Sequence, residues 1–199
     1  MSKKKILWIL LLLIVIGGII IGIRLIKPKT EKDKNQSSDV FNRNSNGEII
    51  NENGDKEYQK VELEDGILYT LTGEKVNSDV VIPDNYFDTT INDLYLNSGN
   101  YENKNIEVEG LYFENLQYTF VGRYSESNLC PNCPTGYSFI EYQLDGKLDY
   151  KFTDEKEWIK VIGTLQKGND ETSNYEDYYY LKVISLEIMN KKGKDTVKN

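Results

Sequence analysis

Apolar side chains recur at every second position in five runs between Asn105 and Ile188, and this alternation limits the chain to a small β architecture. In Asn105–Phe113, Ile106, Val108, Gly110 and Tyr112 share one face. Tyr118–Tyr124 follows a turn expected around Glu114 and Asn115. In Tyr137–Gln143, Tyr137, Phe139 and Glu141 fall on one face, with Ser138, Ile140 and Tyr142 on the other. In Trp158–Gln166, Ile159, Val161, Gly163 and Leu165 alternate with Lys160 and Thr164. Tyr178–Ile188 is long, and its apolar register shifts at Val183 and Ile184, the mark of a β-bulge.

Gly110 and Gly163 interrupt strand patterns, where glycine permits the sharp bends of a closed barrel. Five strands with a longer connection between the third and fourth are the layout of an OB-type barrel. The expected fold is therefore mainly β with one preceding helix, an OB-like five-stranded barrel within residues 58–190. The helix is read from Phe87, Ile91, Leu94 and Tyr95, which share one helical face, with Asp84 as its cap and Ser98-Gly99 at its end. Ahead of it, Val80–Ile82 is a short strand stopped by Pro83, and residues 58–76 form a hairpin turning at Asp65-Gly66. Residues 191–199 are expected to be a frayed tail.

The N-terminal part follows different rules. Ile6–Ile23 is uncharged and spans roughly 27 Å as a helix, close to a bilayer core. It ends in IRLIKPKT, without the small residues of a signal-peptidase site. Residues 1–27 are expected to be a single-pass anchor in the cell membrane, with residues 6–26 in contact with the lipid bilayer. Basic residues flank both ends of the span, and their count alone favours a cytoplasmic C-terminal side. A five-residue tail followed by one span and a large domain is instead a signal-anchor layout, so the domain is expected to be extracytoplasmic. Residues 28–57 are polar and aperiodic and read as a flexible tether.

Charge and chemistry narrow the function. Residues 1–34 carry seven lysines and one arginine against two acids, a net +6, which leaves −14 for the remainder of a chain whose total is −8. A domain that acidic repels phosphate backbones, so no nucleic acid is expected as a partner. The chain has no histidine, which removes the usual neutral-pH general base and the commonest metal ligand. No catalytic constellation is recognisable.

Cys130-Pro-Asn-Cys133 is the strongest chemical signal, and three readings stay open. Its spacing suits half of a tetrahedral zinc site, completed by carboxylates such as Glu126 or by a second copy of the chain in a homodimer. It also suits a disulfide or redox pair. The plainest alternative is two cysteines that brace a turn. Arg123 is a candidate anion or partner contact, or a charge that lowers a thiol pKa. Its structural alternative is an ion pair with Glu107, Glu109 or Glu141.

Residues 80–188 resemble the C-terminal domain of a permease-subunit family, also catalogued as domain of unknown function number 1980. In that family a helix leads to a tyrosine, a Gly-Lys and a strand with an internal glycine. A strand ending near an arginine, a cysteine-bearing loop and a strand opening on tryptophan follow. Tyr101, Lys104, Gly110, Arg123, Cys130, Trp158 and Gly163 match those places. Three features depart from it: Asn103 stands at the family's glycine, the cysteines are not adjacent, and a single span precedes the domain. The resemblance implies an accessory binding module associated with a permease or with metal homeostasis. A thiol redox protein using Cys130 and Cys133 is the alternative.

Overall fold

The computed structural model describes residues 42–126, 136–168 and 178–198. The strands come in chain order as β1 (Gln59–Leu63), β2 (Gly66–Thr70), β3 (Val80–Val81), β4 (Asn105–Asn115), β5 (Tyr118–Glu126), β6 (Gly136–Leu144), β7 (Trp158–Gly168), β8 (Tyr178–Met189) and β9 (Thr196–Lys198). The helix α1 (Phe87–Leu96) lies between β3 and β4, with a 3-10 turn, Asp84–Tyr86, before it and another, Ser98–Asn100, after it. The described residues form one compact unit.

Strands β4 to β8 close on themselves. β4 pairs with β5, β5 with β6, β6 with β8, β8 with β7, and β7 returns to β4. Every pairing in this ring is antiparallel except that of β6 with β8. The ring is uneven. β7 and β8 pair along their whole lengths, whereas β6 meets β8 only from Glu141 to Leu144. Alternation decides which side chains fill it: Ile106, Val108, Val121, Ile140, Ile159, Val161, Leu165 and Leu181 are all buried. Phe87, Ile91 and Leu94 of α1 join the same core, as their helical spacing predicts. Asp84 does not cap the helix with its side chain.

The bulge expected near Val183 and Ile184 has a structural task. Ile162 pairs with Ser185 and Gly163 with Val183, so Ile184 is left over. Before the bulge one edge of β8 pairs with β6, and after it that edge pairs with β2. The Ile184 carbonyl accepts the Leu71 N–H at 3.1 Å, where the hairpin chain joins this edge. The β1–β2 hairpin thus extends the sheet, with Leu63 paired to Gly66 across a turn at Glu64-Asp65, one residue earlier than expected.

Two boundaries differ from expectation. Of the predicted tether, residues 42–57 are folded onto the sheet. Ile49 is buried and donates its N–H to the Leu71 carbonyl at 2.7 Å. Asn44 and Asn51 close local turns by accepting nearby backbone N–H groups. Lys56 holds Glu48 and Asp145 at 2.9 and 2.5 Å. Polar composition hid this because the turns are built from asparagine side chains, with Ile49 as the apolar anchor. The tail also pairs: β9 runs parallel to β5, and Val197 is buried. The predicted anchor lies outside the described residues. Among those residues no helix is long and apolar enough to cross a membrane.

Candidate functional site

The residues singled out from sequence do not assemble into a site. Cys130 and Cys133 lie outside the described residues. Among the described residues no group of three or more cysteine, aspartate or glutamate side chains converges to hold a metal ion. Arg123 is 1% exposed, so it is an interior residue. Its guanidinium carbon sits 4.5 Å from the centre of the Phe87 ring and 5.3 Å from that of Trp158. Its Nε and Nη2 donate to the Glu109 carbonyl at 3.1 and 2.9 Å. The reason lies in β4, which pairs with β3 at Ile106–Glu107 and with β5 from Leu111 onward. Between those stretches the Glu109 carbonyl needs a donor, and Arg123 supplies it. Its ion-pair partner is the Asp84 carboxylate at 2.7 Å, in place of Glu107, Glu109 or Glu141.

A different set of residues forms a continuous aromatic surface. The faces of β4, β5 and β6 that turn away from the core carry Phe113, then Phe120 and Tyr124, then Tyr137 and Phe139. Phe113 meets Tyr137 edge-on, with ring centres 5.4 Å apart and planes at 84°. Phe120 and Phe139 lie 4.7 Å apart at 58°. Tyr124 touches both Phe113 and Tyr137. Tyr137 and Phe139 are 52% and 37% exposed and face solvent, whereas Phe113 is buried against Leu111 and Trp158, with Phe120 and Tyr124 half-buried beside it. Gly122 keeps β5 and β6 close beneath them, because a Cβ there would come within 2.5 Å of the Phe139 Cβ.

One end of this surface is a recess of about 270 Å³ lined by Phe113, Phe120, Tyr137 and Phe139, with Asn115 and the acids Glu114, Asp154 and Glu155 completing its rim. The acids are held in place by the backbone and by tyrosines. The Glu114 N–H donates to Asp154 Oδ1 at 2.9 Å, and the Glu155 N–H donates to the Tyr112 carbonyl at 2.9 Å. Tyr124 donates its hydroxyl to Glu155 Oε2 at 2.8 Å. That bond, helped by burial, pushes the Tyr124 hydroxyl up to about 12, so it stays a neutral donor at physiological pH. Tyr112 does the same for Glu114 Oε2 at 2.9 Å. Glu155 adopts φ +55°, left-handed backbone that costs a non-glycine residue about 1 kcal/mol and is concentrated at functional positions.

Such an arrangement stacks, encloses and attracts. Exposed rings offer π-faces to flat or cationic groups, and the carboxylates add negative potential. None of the rim or floor side chains is a nucleophile activated by a neighbouring base. The sequence carried part of the signal, since Tyr137, Phe139 and Glu141 share a face. It gave no sign that this face is outward or that Phe113 and Phe120 flank it. No protein-family model matches the chain, and no curated protein matches it.

Proposed function

We propose that this protein is a membrane-anchored, extracytoplasmic binding module, an accessory subunit with no reaction of its own. The single observation that carries the proposal is the solvent-facing aromatic surface of β5 and β6, with its acid-rimmed recess. Contiguous exposed rings of this kind mark binding sites, because leaving them in water is unfavourable unless a partner covers them.

The fold gives the surface a context. The path β4–β5–β6–β8–β7, closed on β4 and with β6 parallel to β8, supports the reading of the ring as an OB-type barrel. In barrels of that type the second and third strands form the ligand face, and here those are β5 and β6. Nucleic acid is the wrong ligand for a domain carrying −14. The uncharged Ile6–Ile23 run supports the anchor, and the family resemblance supports a permease as its membrane partner.

Two measurements test this reading. A reporter fused after Asn199 should be active only outside the cytoplasm, and the chain should fractionate with membranes. Ligand-observed NMR against neutral, cationic and anionic small molecules should find binders whose signals vanish in Tyr137→Ala and Phe139→Ala. Binders that are indifferent to both variants, or no binders at all, would remove the aromatic face as the functional surface.

A further inference from the structure

The geometry points to a small quaternary-ammonium cation of choline size as the ligand of the recess between Phe113, Phe120, Tyr137 and Phe139. This rests on the binding-module reading and names the chemistry of its ligand.

Size comes first. About 270 Å³ is just below the usual range for drug-sized ligand pockets, so the recess suits a compact group. Shape comes second. Rings stacked in parallel would make a flat shelf for a planar base or sugar. Here neighbouring rings stand at 84°, 58° and 52° to one another, which is the corner geometry that encloses a rounded group. A trimethylammonium group is rounded, and its positive charge is spread over methyl groups that meet π-faces.

Charge comes third and selects a cation over a neutral group of the same shape. Glu114, Asp154 and Glu155 stand at the rim, and among the described residues lining the recess none is basic. Anions are repelled by this field, and the domain's net charge extends it.

A quaternary ammonium makes no N–H hydrogen bonds and is held by field and π-surface alone. Each rim carboxylate already has one oxygen engaged: Glu114 Oε2 with Tyr112, Asp154 Oδ1 with the Glu114 N–H, and Glu155 Oε2 with Tyr124. These bonds fix the charges in place, and each carboxylate keeps further acceptor capacity. The recess supplies the field and π-surface that a cation without N–H groups requires.

The experiment uses the full chain in detergent micelles and isothermal titration with choline, tetramethylammonium and the neutral carbon isostere of choline. Binding of both cations, with the isostere weaker by at least about tenfold, is expected from a desolvated cation–π contact. Phe139→Leu and Tyr137→Leu keep apolar bulk but remove a π-face, and they should weaken the cations while sparing the isostere. Glu155→Gln should do the same through charge. Circular dichroism confirms that each variant is folded. Equal binding of choline and its isostere overturns the cation inference and keeps an apolar binding surface. Failure of all three probes, while neutral molecules from the NMR screen map to Tyr137 and Phe139, overturns it and keeps the binding-module reading. Failure of all probes and of the screen overturns both.

Discussion

Arg123 provides a sharp test of how the ring is held together. Replacing it by methionine keeps most of the side-chain volume between Phe87 and Trp158 but removes both hydrogen bonds to the Glu109 carbonyl. Hydrogen bonds from a charged group are worth about 1.5–3 kcal/mol, and a buried carbonyl left without a donor costs about 1–3 kcal/mol. Two desolvated cation–π contacts add to this. The opposing term is the desolvation of a guanidinium that is 1% exposed, several kcal/mol in the wild type and absent in the variant. Arg123→Met should therefore lose about 1–3 kcal/mol. Arg123→Ala, which also opens a cavity beside Trp158, should lose about 3–5 kcal/mol. The ion pair contributes little, because Asp84 is 66% exposed and screened by water, so Asp84→Asn should cost less than about 1 kcal/mol. The assay is urea denaturation followed by circular dichroism, with Trp158 fluorescence in a Trp8→Phe background as a second probe. An Arg123→Met variant as stable as wild type would show that desolvation outweighs the carbonyl bonds. An Asp84→Asn variant as damaged as Arg123→Ala would show that the ion pair, and not the β4 carbonyl, is what Arg123 serves.

Other expectations follow from the same structure. Ile49→Ala should lose about 2–4 kcal/mol of stability in the same assay, since Ile49 is 2% exposed, whereas a true tether would tolerate it without change. Burial holds the Glu141 carboxyl above its usual range, although the Gln143 amide pulls the other way. A raised folded-state value penalises folding above it and relieves that penalty as pH falls through it. Glu141→Gln should accordingly gain most stability near pH 7 and progressively less toward about pH 4. Gly122→Ala should disrupt the aromatic face more than an exposed substitution there, because its Cβ would lie 2.3 Å from the Ser138 carbonyl; loss of near-ultraviolet ellipticity measures it. Metal analysis of the reduced chain tests the zinc reading of Cys130 and Cys133: on that reading zinc is present and disappears in the Cys130→Ser, Cys133→Ser double variant, and absent or unchanged zinc removes the pair as ligands.

Local pattern alone determined the secondary structure of the described ring. Period-two alternation placed β4 to β8, helical spacing placed α1, and a slip in the apolar register marked the bulge at Ile184, because each depends only on neighbours along the chain. Pairing was not legible in the same way. Nothing near Ile184 says that β8 changes partner there from β6 to β2, since pairing is chosen by strands far away in sequence. Arg123 illustrates the limit for single residues. Its charge suggested an anion or partner contact or an ion pair with a nearby glutamate, but the gap between the β3 and β5 pairings of β4 draws it inside. Residues 42–57 and 191–198 read as unstructured because composition averages over a segment, while Ile49 and Val197 each need only one apolar side chain to be held by the core. Beyond the shared face of Tyr137 and Phe139, the candidate site belongs to the tertiary structure. Phe113, Phe120, Tyr137 and Phe139 come from three strands, and Asp154 and Glu155 from a turn more than thirty residues beyond Phe120. Alternation says that such side chains share a face with their own strand neighbours. Only closure of the ring decides that these faces point outward, lie side by side and meet a turn that brings their carboxylates.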